Sequence, residues 1–244
     1  MGRKAYTFLA CWFVIVGLVT CLAYVPLSFW LSYIRPYIPN TVTVSQLTGY
    51  WWDGKARLMT NNLRGPVDLS WSIDSLLDPV SWRLSHEKFQ GVGLVKIRPD
   101  QLEFWVDSFN LHADMFNGLL QPERVAVHGA PVSVSRWYAK WQFSTQKFEM
   151  FRGSAQWATG AISYPMGRNI KTSTFENWSV EGRLKDGFPE LVLRSQENRH
   201  LGDAKLLPSD ELEVTVMPAM VEALGQRWRG SKDYPAFVMI QSLL

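Results

Sequence analysis

Cysteine is nearly missing from this 244-residue chain, and its two copies, Cys11 and Cys21, both lie near the start. The rest can form no disulfide and no zinc cluster built on cysteine, so a core there has to come from packing alone. Charge is missing as well from Ala5 through Ile34, directly behind Arg3 and Lys4. At about 1.5 Å rise per residue, a helix over this run exceeds the ~30 Å hydrocarbon core, and Tyr6 to Val25 is the expected transmembrane helix. Pro26, Ser28 and Ser32 suit its exit, with Tyr24, Trp30 and Tyr33 as an aromatic belt. The positive-inside rule then assigns residues 1–5 to a cytoplasmic tail, 6–35 to the anchor and its exit, and 36–244 to the far side. In a bacterium that is a single-pass inner-membrane protein with a periplasmic domain. A cleavable signal peptide fits less well, because its apolar core spans only ~7–15 residues and Leu22-Ala23 is a weak cleavage site. Leu18-Val-Thr-Cys21 loosely resembles a lipoprotein box, but apolar residues follow it instead of a soluble tether.

Beyond Arg35 there is no excess of either charge. Arg3, Lys4 and Arg35 are the only charged residues up to that point, which leaves 22 Lys+Arg against 22 Asp+Glu. The pI near 8.8 therefore reflects the anchor flanks. Nucleic acid is excluded as a partner by the lack of a concentrated basic face.

Motifs of common catalytic sites are missing too. The chain has no Gly-x-Ser-x-Gly, no phosphate-binding Gly-x-x-x-x-Gly-Lys-Ser/Thr and no Gly-x-Gly-x-x-Gly. His86-Glu87 begins like a zinc-protease motif, yet Gln90 stands where the second ligand belongs, and His112, His128 and His200 are scattered. Glu211 and Glu213 share one face of a strand in the manner of a solvated edge. The expectation is a protein without catalytic residues, cofactor or metal.

What is present is alternation. Thr41 to Ser45, Val67 to Ile73, Val92 to Ile97, Leu102 to Val106, Arg124 to His128, Trp178 to Leu184 and Leu212 to Val216 all alternate apolar with polar residues. Gly, Pro, Asn and Asp fall between the runs. Period-2 patterning of this kind predicts antiparallel strands with one buried face. Short helices are predicted at Asp74 to Pro79, Ala113 to Leu120 and Pro218 to Leu224, the last opened by proline and closed by Gly225. The fold class is mainly β: a curved antiparallel sheet over 36–244 with a few short helices.

Gly49-Tyr-Trp-Trp-Asp-Gly-Lys-Ala56 sets tryptophan between two glycines ahead of alanine, and Gly153 to Ala161 echoes it loosely, dividing the domain into lobes of about 41–150 and 151–244. Glycine removes bulk so that a neighbouring tryptophan can lie across a sheet, and Trp52 is expected to pack in the core. Arg227-Trp228-Arg229 is the candidate contact for an acidic partner or lipid head groups.

These features resemble protein N of the bacterial type II secretion system. That family opens its periplasmic part with Gly-x-x-Trp-x-Gly-x-Ala, matched here by Gly49, Trp52, Gly54 and Ala56. Ser75 to Pro79 resembles the short Leu/Pro segment after its next Trp strand. Pro218 to Gly225, followed by a last strand near Phe237 to Ile240, resembles its ending. The resemblance implies an accessory component of the inner-membrane platform, scaffolding near the protein that contacts the outer-membrane secretin and supporting export of folded proteins. It implies no catalytic residue. The alternative function is a β-groove carrier of lipid or lipopolysaccharide, with a cell-wall hydrolase third.

Overall fold

The computed structural model describes residues 24–39, 41–60, 63–75, 78–209 and 211–242, and the isolated positions 12, 13, 16, 17 and 20. These residues are mainly β, and they form two compact units meeting in sequence at His86 and Glu87. β9, introduced below, runs through position 150, where the sequence repeat placed a lobe boundary.

In the first unit a helix, α1 (Leu27–Ile34), and a 3-10 turn (Arg35–Tyr37) precede four strands. These are β1 (Val42–Gly49), β2 (Asp53–Thr60), β3 (Val67–Ser72) and β4 (Val80–His86), paired antiparallel in chain order. The expected transmembrane helix is corrected here: among the described residues no helix is long and apolar enough to cross a membrane. Pro26 is extended, with φ −60° and ψ 142°, so α1 begins only at Leu27 and its eight residues reach about 12 Å. Most of the span Tyr6 to Val25, together with Arg3, Lys4 and both cysteines, lies outside the described residues. The three aromatic residues proposed for the exit fall into two ring clusters. Trp30 and Tyr33 pack with Phe29, while Tyr24 joins Tyr50 and Trp52.

The second unit holds β5 (Phe89–Ile97), β6 (Gln101–Leu111), β7 (Ala126–Gly129), β8 (Val132–Gln142), β9 (Lys147–Met166) and β10 (Asn169–Lys185). β11 (Phe188–Arg194), β12 (His200–Leu206), β13 (Glu211–Val216) and β14 (Phe237–Ser242) complete it. Its spatial order is β5-β6-β8-β9-β10-β11-β12-β13-β14, with β7 pairing against β9, and these pairs are antiparallel. Asp186 (φ 55°) and Gly187 (φ 81°) form the tight turn from β10 to β11, the residue pair that a two-residue hairpin with positive φ favours. Ala113–Phe116 is a 3-10 turn leading into α2 (Asn117–Leu120), and α3 (Pro218–Ala223) starts at its proline as predicted. Leu76 and Leu77 of the third predicted helix lie outside the described residues.

Packing centres on Ala113, Val127, Ile162, Phe175, Trp178 and Leu201, against which Leu193, Ala219 and Met220 of neighbouring elements rest. Phe175 and Trp178 stack with centroids 3.8 Å apart. Burying a side chain of this size contributes roughly 1.5–3 kcal/mol. A second device recurs along the strands: an aromatic ring laid over a glycine on the adjacent strand. Gly54 faces Trp71, Gly91 faces Phe109 and Gly160 faces Phe175, each pair in direct register. A Cβ at any of these glycines would overlap its partner's ring. Gly153 and Gly182, themselves paired across β9 and β10, are both covered by Trp137. Cross-strand pairs are the unit of sheet stabilisation, and here the missing side chain is replaced by the flat of a neighbouring ring.

Candidate interaction surface

The Gly49 to Ala56 motif builds the β1–β2 hairpin. Gly49 pairs with Gly54 and takes φ 89°, a left-handed conformation that side-chain-bearing residues rarely adopt. Tyr50 and Asp53 then exchange two backbone hydrogen bonds of 2.8 and 3.2 Å, which leaves Trp51 and Trp52 at the tip. Gly54 and Ala56 are the buried members, and Trp71 crosses Gly54 while donating its indole N–H to the Trp51 carbonyl at 2.9 Å. Trp52 is half-buried. It stacks on Tyr50 at 5.0 Å and meets Tyr24 and Trp51 edge-on, so it belongs to a partly exposed aromatic cluster at the hairpin tip.

At the opposite end of the sequence, α3 and the loop after it lead into β14. The helix end is pinned to two long strands: Tyr164 of β9 and Ser173 of β10 donate hydroxyl hydrogen bonds to the Leu224 carbonyl at 3.0 and 2.6 Å. Gly225 follows with φ 74°, and Lys171 donates to its carbonyl at 3.2 Å. Lys232 reaches back to Glu222 at 2.8 Å and holds that carboxyl below its usual range, chiefly through this hydrogen bond. Arg227 and Arg229 are exposed on the loop, whereas Trp228 is half-buried, donating its indole N–H to the Ser231 carbonyl at 2.9 Å. The structure therefore separates the members of the Arg-Trp-Arg run: two cations point to solvent and the ring braces the loop.

The loop delivers the chain to β14 through a hydrogen bond from the Ala236 N–H to the Val216 carbonyl at 2.8 Å. β14 pairs with β13 from Val216↔Phe237 to Glu211↔Ser242 and is, among the described residues, the outermost strand of its unit. Glu211 and Glu213 are thus on an inner strand, with Glu213 opposite Lys205, and are not the solvated edge the sequence suggested. Phe237, Val238, Met239 and Ile240 are between 40% and 59% exposed, although alternate residues point to opposite faces. No charge occurs from Pro235 to Leu244. Natural edge strands are usually guarded by lysine, proline, bulges or a covering element, and among the described residues β14 shows none of these over Phe237 to Ile240. β1, by contrast, has α1 packed along it.

The most deeply buried carboxylate of the second unit is matched by neighbouring cations. The Glu190 side chain is 2% exposed, and burial alone would raise its pKa; the hydrogen bonds from Arg183 and Lys185 outweigh that and hold it below the usual carboxylate range. His86 is buried at the end of β4, its Nε2 2.9 Å from the Arg64 carbonyl. Among the described residues no group of three or more His, Cys, Asp or Glu side chains is placed to hold a metal ion. Sequence reasoning named the last strand without seeing that both its faces are open, since exposure depends on which strands stop beside it. No family model, curated protein or solved structure matches the chain.

Proposed function

We propose that this chain is a non-catalytic docking component of a bacterial type II secretion system, working on the periplasmic side of the inner membrane beside the platform protein that contacts the secretin. The observation that supports a docking role is β14, an uncharged outer strand with four consecutive apolar side chains exposed. Its outward backbone N–H and C=O groups can extend the sheet by one strand from a partner, and the flanking apolar side chains supply the contact area. The secretion system comes from the resemblance carried by Gly49, Trp52, Gly54 and Ala56, by the Pro218 to Gly225 turn and by the last strand. Deleting the gene is expected to reduce export of folded enzymes while outer-membrane lipid composition stays unchanged. Secreted enzyme activity and extracted lipid are measured in the same strain. Unaltered secretion with mislocalised lipid overturns the docking role in favour of a lipid carrier.

A further inference from the structure

Three arginines from three strands line one open concavity of about 670 Å³ in the second unit: Arg136 of β8, Arg152 of β9 and Arg194 of β11, with Ser154 and Ser179 among its other walls. Strand register accounts for two of them. Ser179 of β10 lies directly opposite Arg194, and Ser154 follows Arg152 by two residues, on the same face of β9. Arg136 arrives by a different device. β8 pairs Ser135 with Ser154 and then Tyr138 with Arg152, so Arg136 and Trp137 together oppose the single residue Gly153. This is a β-bulge, and Arg136 sits in it with φ 53°. Bulges re-aim side chains, and a non-glycine residue in the left-handed region persists where its surroundings over-determine it. Here the determinant is Trp137, which covers Gly153 and Gly182 and donates its indole N–H to the Ser154 carbonyl at 2.9 Å.

Among the described residues no carboxylate forms an ion pair with Arg136, Arg152 or Arg194, although nearby Lys140, Arg183 and Lys185 all have one. Arg152 lies over the Tyr138 ring at 5.7 Å, and Arg194 reaches only the Asn198 carbonyl, at 3.5 Å. Glu181 is the single acid in the lining. In one concavity of the first unit, Arg57 is instead paired with Asp68 at 2.7 Å.

We propose that Arg136, Arg152 and Arg194 form a binding site for a phosphate-bearing small ligand. Guanidinium forks match pairs of phosphate oxygens, and the Ser154 and Ser179 hydroxyls can donate to the same group. The volume falls in the range of small-molecule sites, so it accommodates a phosphate with a substituent attached. A lipid head group and free phosphate share this chemistry. The site stands apart from β14 and does not rest on the docking role.

Calorimetric titration of the full chain with inorganic phosphate, and separately with monomeric dihexanoyl phosphatidic acid, tests the assignment. Binding is expected to weaken about tenfold in Arg194→Gln and further in the triple variant Arg136→Gln, Arg152→Gln, Arg194→Gln, a loss of the size that one charged hydrogen bond supplies. Glu181→Gln, which removes the opposing charge from an exposed position, is expected to tighten binding severalfold. Comparable affinity for the two probes identifies a free-phosphate site; markedly tighter binding of the phosphatidic acid identifies a lipid head group. Val238→Lys on β14 is expected to leave both titrations unchanged, which separates this site from the docking edge. The inference is overturned if neither probe binds the unaltered chain, or if a folded Arg194→Gln variant binds as before and Glu181→Gln does not tighten binding.

Discussion

Gly54 and Trp52 belong to one short motif, yet their side-chain environments make opposite demands. Gly54 is wedged beneath the Trp71 ring and the Leu27 side chain, and the ring is held by its bond to the Trp51 carbonyl. Gly54→Ala is therefore expected to cost about 1–3 kcal/mol, the range for forcing extra volume into a packed site. Gly118→Ala is the matched control, because it sits in α2 with nothing within 4 Å of the new methyl. That change is expected to be neutral or to stabilise by about 0.5–1 kcal/mol. Trp52→Ala removes ring contacts at a half-exposed tip, each worth about 0.5–1.5 kcal/mol, so its loss is smaller than a fully buried tryptophan's. Chemical denaturation of the three variants checks the ordering. Equal stability of Gly54→Ala and the parent chain would show that the Trp71 ring moves aside freely.

Along each element, legibility in the sequence followed the range of the interaction that decides it. Alternation marks strands such as β13 because the period is local, and Pro218 marks the start of α3 for the same reason. The partner of a glycine is not local: Gly54 and Trp71 are brought together by β2–β3 register, and Arg136, Arg152 and Arg194 by three strand pairings and a bulge. Composition also misled at the start, where an uncharged run predicted one long helix and the described part of it is interrupted at Pro26. β14 was legible as a strand but not as an open edge. Its expected behaviour follows from that openness: Val238→Lys with Ile240→Lys should change stability by no more than about 0.5 kcal/mol, as exposed substitutions usually do. The same pair places two charges where a partner strand has to desolvate them, so photo-crosslinking from position 239 to other secretion proteins should disappear. Persistent crosslinks with both lysines present would remove β14 from the interface.

For the molecule as a whole, acid should act unevenly on the two units. Asp68 in the first unit, and Asp114, Glu149, Glu190 and Glu222 in the second, are each held below their ordinary pKa. Hydrogen bonds from Arg57, Lys88, Lys140 and Lys232 lead in four cases, whereas for Glu190 the bonds from Arg183 and Lys185 have to overcome burial first. A carboxylate with a depressed folded-state pKa stabilises above its unfolded value, near 4–4.5, and that contribution is lost as pH falls through the folded value. The exposed pairs are screened by water and contribute little, so the buried Glu190 dominates the effect. Lowering the pH from neutrality to below 4 should therefore loosen the second unit before the first. Hydrogen exchange at a series of pH values reads this directly, with protection in β10 and β11 falling ahead of protection in β2 and β3. Glu190→Gln keeps the side-chain volume and removes the titrating charge, so it should lower protection of β10 and β11 at neutral pH and flatten their acid dependence. Unchanged acid dependence in that variant would assign the sensitivity to the exposed pairs instead.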